Sequence, residues 1–189
     1  KPCIIVGQGV RYGGASDDLK RLAERLQIPV AASASGLGAL DVNHPLALGL
    51  VARAGHYQAN HAARQADVLL ALGVRFDDRT SSSWIPGYSF TIPPTRLIHV
   101  DIDPSSIDKS VRVDVPVIGC AAETLAAMIE LWRGKKHKAK AEPLAKWWAQ
   151  IAESGPLVRS RLSRSARRDG RKAMSIWRCR PSLERSARR

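Results

Sequence analysis

Short apolar runs alternate in the first 130 residues with segments whose apolar side chains recur every three or four positions. The runs are four or five residues long and bounded by glycine, proline or charged residues; they span 3–6, 28–31, 68–72, 97–100 and 115–118. A continuous apolar run of this length is typical of a strand buried on both faces, as in a parallel sheet. The pattern therefore predicts five strands, of which 3–6 and 68–72 are predicted to be buried.

Helical periodicity separates several of these runs. Apolar side chains recur at helical spacing from Leu19 to Leu26, and Ser16 is predicted to be the N-cap of that helix. Further helices are predicted over 57–65, which is rich in alanine, and over 122–132. Strands that alternate with helices form βαβ units with right-handed crossovers. The predicted fold is therefore α/β, a doubly wound parallel sheet.

Composition divides the chain into three parts. Residues 1–133 carry the strand and helix pattern, residues 134–154 form a basic linker with a short helix, and residues 155–189 are rich in arginine and serine. The last part has twelve basic and two acidic residues, a net charge of +10 out of the chain's +13. Such a tail is predicted to be disordered and to bind nucleic acid only non-specifically. It is either a genuine basic extension or a GC-rich coding stretch read out of frame.

Three cysteines without metal-ligand spacing indicate a reduced, cytoplasmic protein. The sequence contains no apolar stretch of membrane-spanning length and no signal-peptide pattern. Its histidines have no metal-ligand spacing, and no nucleophile motif accompanies its serines. The sequence therefore predicts a binding module with no catalytic residues and no metal ligands.

Glycines follow the first two predicted strands, at 7–9 and 36–38. A glycine at a strand end lets a phosphate or a neighbouring backbone segment approach closely. The segment 7–9 does not have the G-x-G-x-x-G spacing, and a tight turn between strand and helix explains it equally well. Both explanations remain open from the sequence.

Charged residues follow two later strands. Segment 75–79 holds four charges in five residues, and its arginines suit phosphate or carboxylate, although a surface ion-pair cluster is the alternative. Asp101 ends another strand, where an acid can accept ribose hydroxyls; the alternative is a helix N-cap before Pro104. Because the carboxyl ends of parallel strands share one edge, these segments together favour a nucleotide-shaped ligand.

Two of these segments, 73–79 (GVRFDDR) and 99–104 (HVDIDP), resemble the central domain of acetolactate synthase large subunits. The similarity extends over residues 2–132 and includes 28–30, 36–39, 59–60 and 66–73. The resemblance implies the Rossmann-like central domain of a thiamine-diphosphate enzyme. Enzymes of this family condense pyruvate with a second 2-oxo acid, usually releasing carbon dioxide, in branched-chain amino acid biosynthesis. They use thiamine diphosphate and Mg²⁺ and are homo-oligomers.

The resemblance also implies that this domain binds FAD in a structural role. It places the cofactor at residues that each follow a predicted strand: Gly7, Gly9, Ser33, Ala34, Ser35, Arg75, Asp77, Asp101 and Ile102. The sequence departs from FAD-binding members at 53–55, which is Arg-Ala-Gly instead of Met-His-Gly, and at 119–120, which is Gly-Cys instead of Gly-Asp. An FAD-free relative is therefore the alternative.

The family's catalytic motifs, a glutamate in the first domain and G-D-G…N in the third, are not found in this sequence. The chain is therefore expected to be a fragment, inactive alone, whose partners are the missing thiamine-binding domains. The second hypothesis is a stand-alone nucleotide-binding module with a nucleic-acid-binding tail.

Overall fold

The computed structural model describes residues 1–133 and 141–155, and its centre is one six-stranded, fully parallel sheet. The strands are β1 (Pro2–Val6), β2 (Val30–Ala32), β3 (Ala47–Leu50), β4 (Val68–Leu72), β5 (Arg96–Asp101) and β6 (Val115–Ile118). They lie in the order β3-β2-β1-β4-β5-β6. The predicted doubly wound parallel sheet is therefore confirmed.

Helices cover both faces of the sheet. They are α1 (Gln8–Tyr12), α2 (Ser16–Leu26), α3 (Tyr57–Gln65), α4 (Ala121–Arg133) and α5 (Ala141–Glu153). Ile4 and Val6 pack with residues of α1, α2 and α4, whereas Cys3 and Ile5 pack with α3 and α5. Successive side chains of a strand point to opposite faces, so a strand covered on both sides must be apolar at every position. This explains the continuous apolar runs.

Helix α5 belongs to the core of the sheet domain. Trp147 is 2% exposed, Ile151 is fully buried, and the Trp147 indole donates a hydrogen bond to the Pro2 carbonyl at 3.0 Å. The predicted boundary at residue 133 leaves this helix in the linker, whereas its side chains complete one of the two core clusters. The linker residues 134–140 and the tail beyond Gly155 lie outside the described residues.

Three local features differ from the sequence-based expectations. The predicted Ser16 cap is wrong, because α2 begins at Ser16 and its N-cap is Ala15, which has no side-chain acceptor. The Ala15 carbonyl accepts the first helical hydrogen bond, from the Leu19 amide at 2.9 Å. Neither β3 nor α1 was expected, because each is at most five residues long and contains a glycine.

The long segment between β4 and β5 contains neither helix nor strand, and it folds back on the core. Phe76 and Phe90 meet edge to face with ring centroids 5.4 Å apart. The buried hydroxyls of Ser82 and Ser89 share a hydrogen bond of 2.6 Å. Among the described helices, none is both long and apolar enough to span a membrane.

Candidate functional site

Four adjacent strands bring the candidate residues to one edge of the sheet. Every residue that the resemblance selects lies at or just after the carboxyl end of β1, β2, β4 or β5, which are neighbours in the order β2-β1-β4-β5. Strands β2 and β3 lie on one side of β1, and β4, β5 and β6 lie on its other side. The direction in which successive strands are added therefore reverses between β1 and β4. In open parallel sheets, ligands bind in the crevice at this switch point.

Glycines hold the ends of β1 and β4 close together at the switch point. The Gly7 amide donates to the Leu72 carbonyl at 2.9 Å, and a Cβ added at Gly7 would overlap the Gly73 carbonyl oxygen. A Cβ added at Gly9 would lie 2.8 Å from the Gly73 Cα. The close approach of a neighbouring backbone segment, that of Gly73, therefore explains why these positions are glycines.

The residues after β2 form a tight, partly exposed turn. The Ser33 amide donates to the Val6 carbonyl at 2.8 Å, and the buried Ser33 hydroxyl accepts from the Gly36 amide at 3.2 Å. Ala34 and Ser35 are exposed, and the Arg11 guanidinium donates to the Ser35 carbonyl at 3.3 Å. Arg11 was not predicted from the sequence, where it is a basic residue two positions after Gly9 and its contact with the turn after β2 is not visible.

The segment after β4 exposes its charges and buries the residue between them. Arg75 and Asp77 are exposed, while Phe76 is 1% exposed and has a left-handed backbone, with φ of +48°. The Asp77 carboxylate accepts a hydrogen bond from the Thr80 amide at 2.8 Å. Within the part of the chain that the structure describes, neither Arg75 nor Arg79 forms an ion pair. The ion-pair cluster weighed from the sequence is not formed there.

Asp101 ends β5 and is nearly buried, whereas Ile102 follows the strand and is exposed. Asp101 is 6% exposed and its carboxylate accepts from the Asp103 amide at 3.0 Å, whereas Ile102 is 72% exposed. Ile118, the β6 partner of Asp101 in register, is 65% exposed. An exposed apolar side chain therefore lies beside Asp101 on the neighbouring strand. Ile118 was not predicted from the sequence, because the pairing of β5 with β6 is not visible in it.

Asp103 is the residue that caps a turn here. Its carboxylate accepts from the Ser105 amide at 2.9 Å, at the start of a short 3₁₀ helix, Pro104–Ser106. Hydrogen bonds from Ser105 lower the pKa of Asp103, which keeps it ionised. The N-cap role considered for this segment is thus performed by Asp103, while Asp101 accepts from the Asp103 amide.

The loop after β3 contains the segment 53–55 that departs from the family pattern. The Asn60 side chain accepts from the Ala52 amide at 3.0 Å and donates to the Ala52 carbonyl at 2.9 Å. Arg53 and Ala54 are exposed next to this clamp. The loop is thus held in place by α3, and the departure from Met-His-Gly puts a guanidinium on an exposed loop at the outer strand.

Both signs of charge occur along the edge. Arg11, on α1, and Arg75 lie near the switch point, Asp77 is exposed in the same segment as Arg75, and Asp101 ends β5. Cations at a switch point suit a phosphate, and a carboxylate beside it suits hydroxyl groups. No group of three His, Cys, Asp or Glu side chains within the described residues could hold a metal ion. The edge therefore offers the chemistry of a nucleotide site.

Comparison with known proteins agrees with the resemblance. Residues 1–128 match the family model described as the thiamine pyrophosphate enzyme, central domain. The acetolactate synthase isozyme 3 large subunit of Escherichia coli K12 is 39% identical over 153 residues, which are 81% of this chain and 26% of that protein. A probable acetolactate synthase large subunit of Methanocaldococcus jannaschii is 43% identical over 135 residues, 69% of this chain and 22% of that protein. The chain thus spans about a quarter of the length of these relatives.

The comparisons separate the two hypotheses drawn from the sequence. They support a central domain of an acetolactate-synthase-like enzyme and give no support to a stand-alone module with a nucleic-acid-binding tail.

Proposed function

This chain belongs to the thiamine pyrophosphate enzyme family, as a central domain of the acetolactate synthase type, and on that premise we propose that it binds FAD through its ADP part. The proposed site is the carboxyl edge of the sheet, from the turn after β2 to the end of β5. The observation that carries the proposal is the position of an exposed Arg75 and a nearly buried Asp101 at the carboxyl ends of two neighbouring strands, β4 and β5.

The ribose is assigned to the β5 side. Asp101 provides a nearly buried carboxylate that can accept hydroxyl hydrogens, in a position where acids bind ribose in doubly wound sheets. Ile102 is exposed directly after Asp101, and Ile118 is exposed on the paired strand. An adenine ring that covers either apolar side chain would remove apolar surface from water.

The diphosphate is assigned to the switch point. Arg75 is exposed and forms no ion pair with any described residue, so its guanidinium is available for bidentate contact with phosphate. Gly7 and Gly9 let the Gly73 backbone approach β1, so the segment that carries Arg75 begins at the switch point itself. The exposed turn of Ala34 and Ser35 continues the site toward β2.

The residues fit the ADP part of FAD better than the flavin part. Where FAD-binding members have Met-His-Gly, this chain exposes Arg53 and Ala54. FAD supplies redox chemistry in many proteins, but the role proposed here is structural, because a ligand across four strand ends would hold their loops together. Loss of the flavin contact predicts that FAD binds little more tightly than ADP.

The whole protein is proposed to condense 2-oxo acids with loss of carbon dioxide as a homo-oligomer, using thiamine diphosphate and Mg²⁺. The description of the matching family supports the use of thiamine diphosphate, and the names of the relatives support acetolactate synthesis. Neither thiamine diphosphate nor Mg²⁺ is assigned to the central domain in this proposal. The central domain contributes a folded sheet and the nucleotide site.

Calorimetric titration of the 189-residue chain with ADP and with FAD tests the nucleotide site. Arg75→Met and Asp101→Asn are each expected to weaken ADP binding about tenfold, since each removes one charge-assisted hydrogen-bonding group, worth about 1.5–3 kcal/mol. Arg21→Met is the matched control, because Arg21 is an exposed arginine of α2 whose ion pair within residues 1–133 and 141–155 is with Asp18. No binding by the unmodified chain at millimolar ADP, or equal affinities in all four proteins, would contradict the proposal.

A further inference from the structure

We propose that the buried side chain of His99 positions the ligand-binding segment after β4; this inference rests on the proposed nucleotide site. His99 lies on β5 and is fully buried. Its Nε2 lies 2.7 Å from the Val74 carbonyl oxygen and 4.0 Å from the Asp101 carboxylate. One imidazole therefore lies between the backbone that precedes Arg75 and the carboxylate assigned to the ribose.

The hydrogen-bonding state of the ring follows from its partner. A carbonyl oxygen only accepts, so Nε2 carries the proton and donates to Val74. Burial lowers the pKa of His99, which keeps the ring neutral and leaves Nδ1 as an acceptor. Nδ1 is buried and has no hydrogen-bond partner among the described residues.

The unpartnered Nδ1 shows that His99 is not the best residue for packing alone. A buried polar atom without a partner destabilises the fold, and an apolar side chain of the same size would avoid that cost. The compensating interaction is the bond to the Val74 carbonyl. The histidine is thus explained by what it holds rather than by the core that it fills.

The held segment continues directly into the proposed phosphate contact. Val74 precedes Arg75, and the Phe76 ring meets the His99 ring edge to face at 5.2 Å. The Phe76 carbonyl is held from the other side by the Trp84 indole, which donates to it at 3.1 Å. Arg75 thus lies between two residues that His99 contacts, Val74 and Phe76. Loss of the Nε2 donor frees the Val74 carbonyl and lets the Arg75 backbone shift.

Thr95 provides a matched control at the opposite edge of the sheet. Its buried hydroxyl donates to the Ala66 carbonyl at 2.7 Å, a bond of the same length as that of His99, just before the amino end of β5. Thr95→Val removes that bond without changing the size of the side chain. A purely structural hydrogen bond at this strand is expected to affect the melting temperature and not ligand affinity.

The experiment compares four forms of the 189-residue chain by calorimetric titration with ADP at a temperature where circular dichroism shows each to be folded. His99→Met removes the donor and is expected to weaken ADP binding about tenfold. His99→Gln retains an amide N–H near the position of Nε2 and is expected to bind within threefold of the unmodified chain. Thr95→Val is expected to melt at lower temperature and to bind ADP with unchanged affinity.

His99→Met with unchanged affinity, or His99→Gln as weak as His99→Met, would overturn the positioning role. An unmodified chain that binds no ADP would overturn the proposed site instead.

If the unmodified chain binds no ADP, or if His99→Met does not fold, amide NMR spectra of His99→Gln and Thr95→Val decide whether His99 holds the segment. The positioning role then requires the unmodified chain to show a slowly exchanging His99 Nε2 proton, with 74–77 little shifted in both variants. A rapidly exchanging proton, or large shifts of 74–77 in Thr95→Val, would overturn it.

Discussion

Gly7 and Gly73 bring two strand ends so close that no side chain fits between them. A Cβ at Gly7 would overlap backbone atoms of Gly73, and backbone cannot rotate away as a flexible side chain can. At Gly73 the backbone is also left-handed, with φ of +59°, which disfavours any residue with a Cβ. The switch point is therefore built on glycines for two separate reasons.

Gly7→Ala is expected to lower the free energy of unfolding by about 3 kcal/mol or more, because overpacking against backbone forces β1 and β4 apart. Gly119→Ala is the control: it also follows a strand, but its Cβ would lie 3.5 Å from the Thr124 hydroxyl, an ordinary contact. It is expected to change stability by about 0.5 kcal/mol or less. Urea unfolding measures both, and equal stabilities would contradict the close packing of the switch point.

The buried His99 also predicts how stability depends on pH. Burial lowers the pKa of His99 below its ordinary value of about 6.5, so the unfolded chain takes up a proton that the native chain resists. The stabilising effect of the neutral ring is therefore complete above the unfolded pKa and is lost as pH falls below it, by at most about 1.4 kcal/mol per pH unit. Below the native pKa the loss levels off.

Unfolding in urea at pH 7.5 and 5.5 tests this prediction. His99→Gln cannot titrate and is expected to lose less stability between the two pH values than the unmodified chain. Burial lowers the pKa of His61 as well, and since both proteins retain His61, their difference isolates His99. A parallel loss in both proteins would show that His99 does not resist protonation.

At the scale of elements, continuous apolar runs were sufficient to predict five of the six strands, because a strand covered on both faces is apolar throughout. The observed β4 and β6 have the predicted bounds, and α3 does as well. The packing of α5 was not predictable, because an amphipathic pattern shows that a helix has an apolar face and not what that face contacts. Trp147 and Ile151 define that contact only in three dimensions.

Trp147→Ala is expected to destabilise the domain by about 3–5 kcal/mol, the usual cost of removing a buried tryptophan. Gln150, on the exposed side of α5, provides the control, and Gln150→Ala is expected to change stability by about 0.5 kcal/mol or less. Thermal unfolding followed by circular dichroism compares the two. If the Trp147→Ala protein melts at the same temperature as the unmodified chain, α5 does not stabilise the domain, and the domain ends at residue 133 as predicted from the sequence.

At the scale of the whole molecule, the strand order gives the candidate site its charge pattern. The sequence places Arg75 and Asp101 after separate strands, and only the order β1-β4-β5 makes those strands neighbours. The edge was predictable because parallel strands share the direction of their carboxyl ends. Arg11 and Ile118 were not, since the first depends on a contact between α1 and the turn after β2 and the second on the pairing of β5 with β6.

The sequence also could not distinguish a glycine that faces a phosphate from one that faces backbone. At Gly7 the neighbour is Gly73, so the glycine by itself does not indicate a ligand. What supports the nucleotide site is the exposed guanidinium of Arg75 on one side and the carboxylate of Asp101 on the other. The central claim is therefore one of position: a nucleotide lies at the carboxyl edge, over β1, β4 and β5.

Amide NMR of the ¹⁵N-labelled chain during titration with ADP tests that position most directly, because each shifted resonance identifies a contacted segment. The expected result is a saturable set of shifts at Gly7, Arg75, Asp101 and Ile102, with Asp67 and Thr95 at the opposite edge unchanged. A set of shifts that leaves Arg75 and Asp101 unmoved, or none at millimolar ADP, would contradict the account.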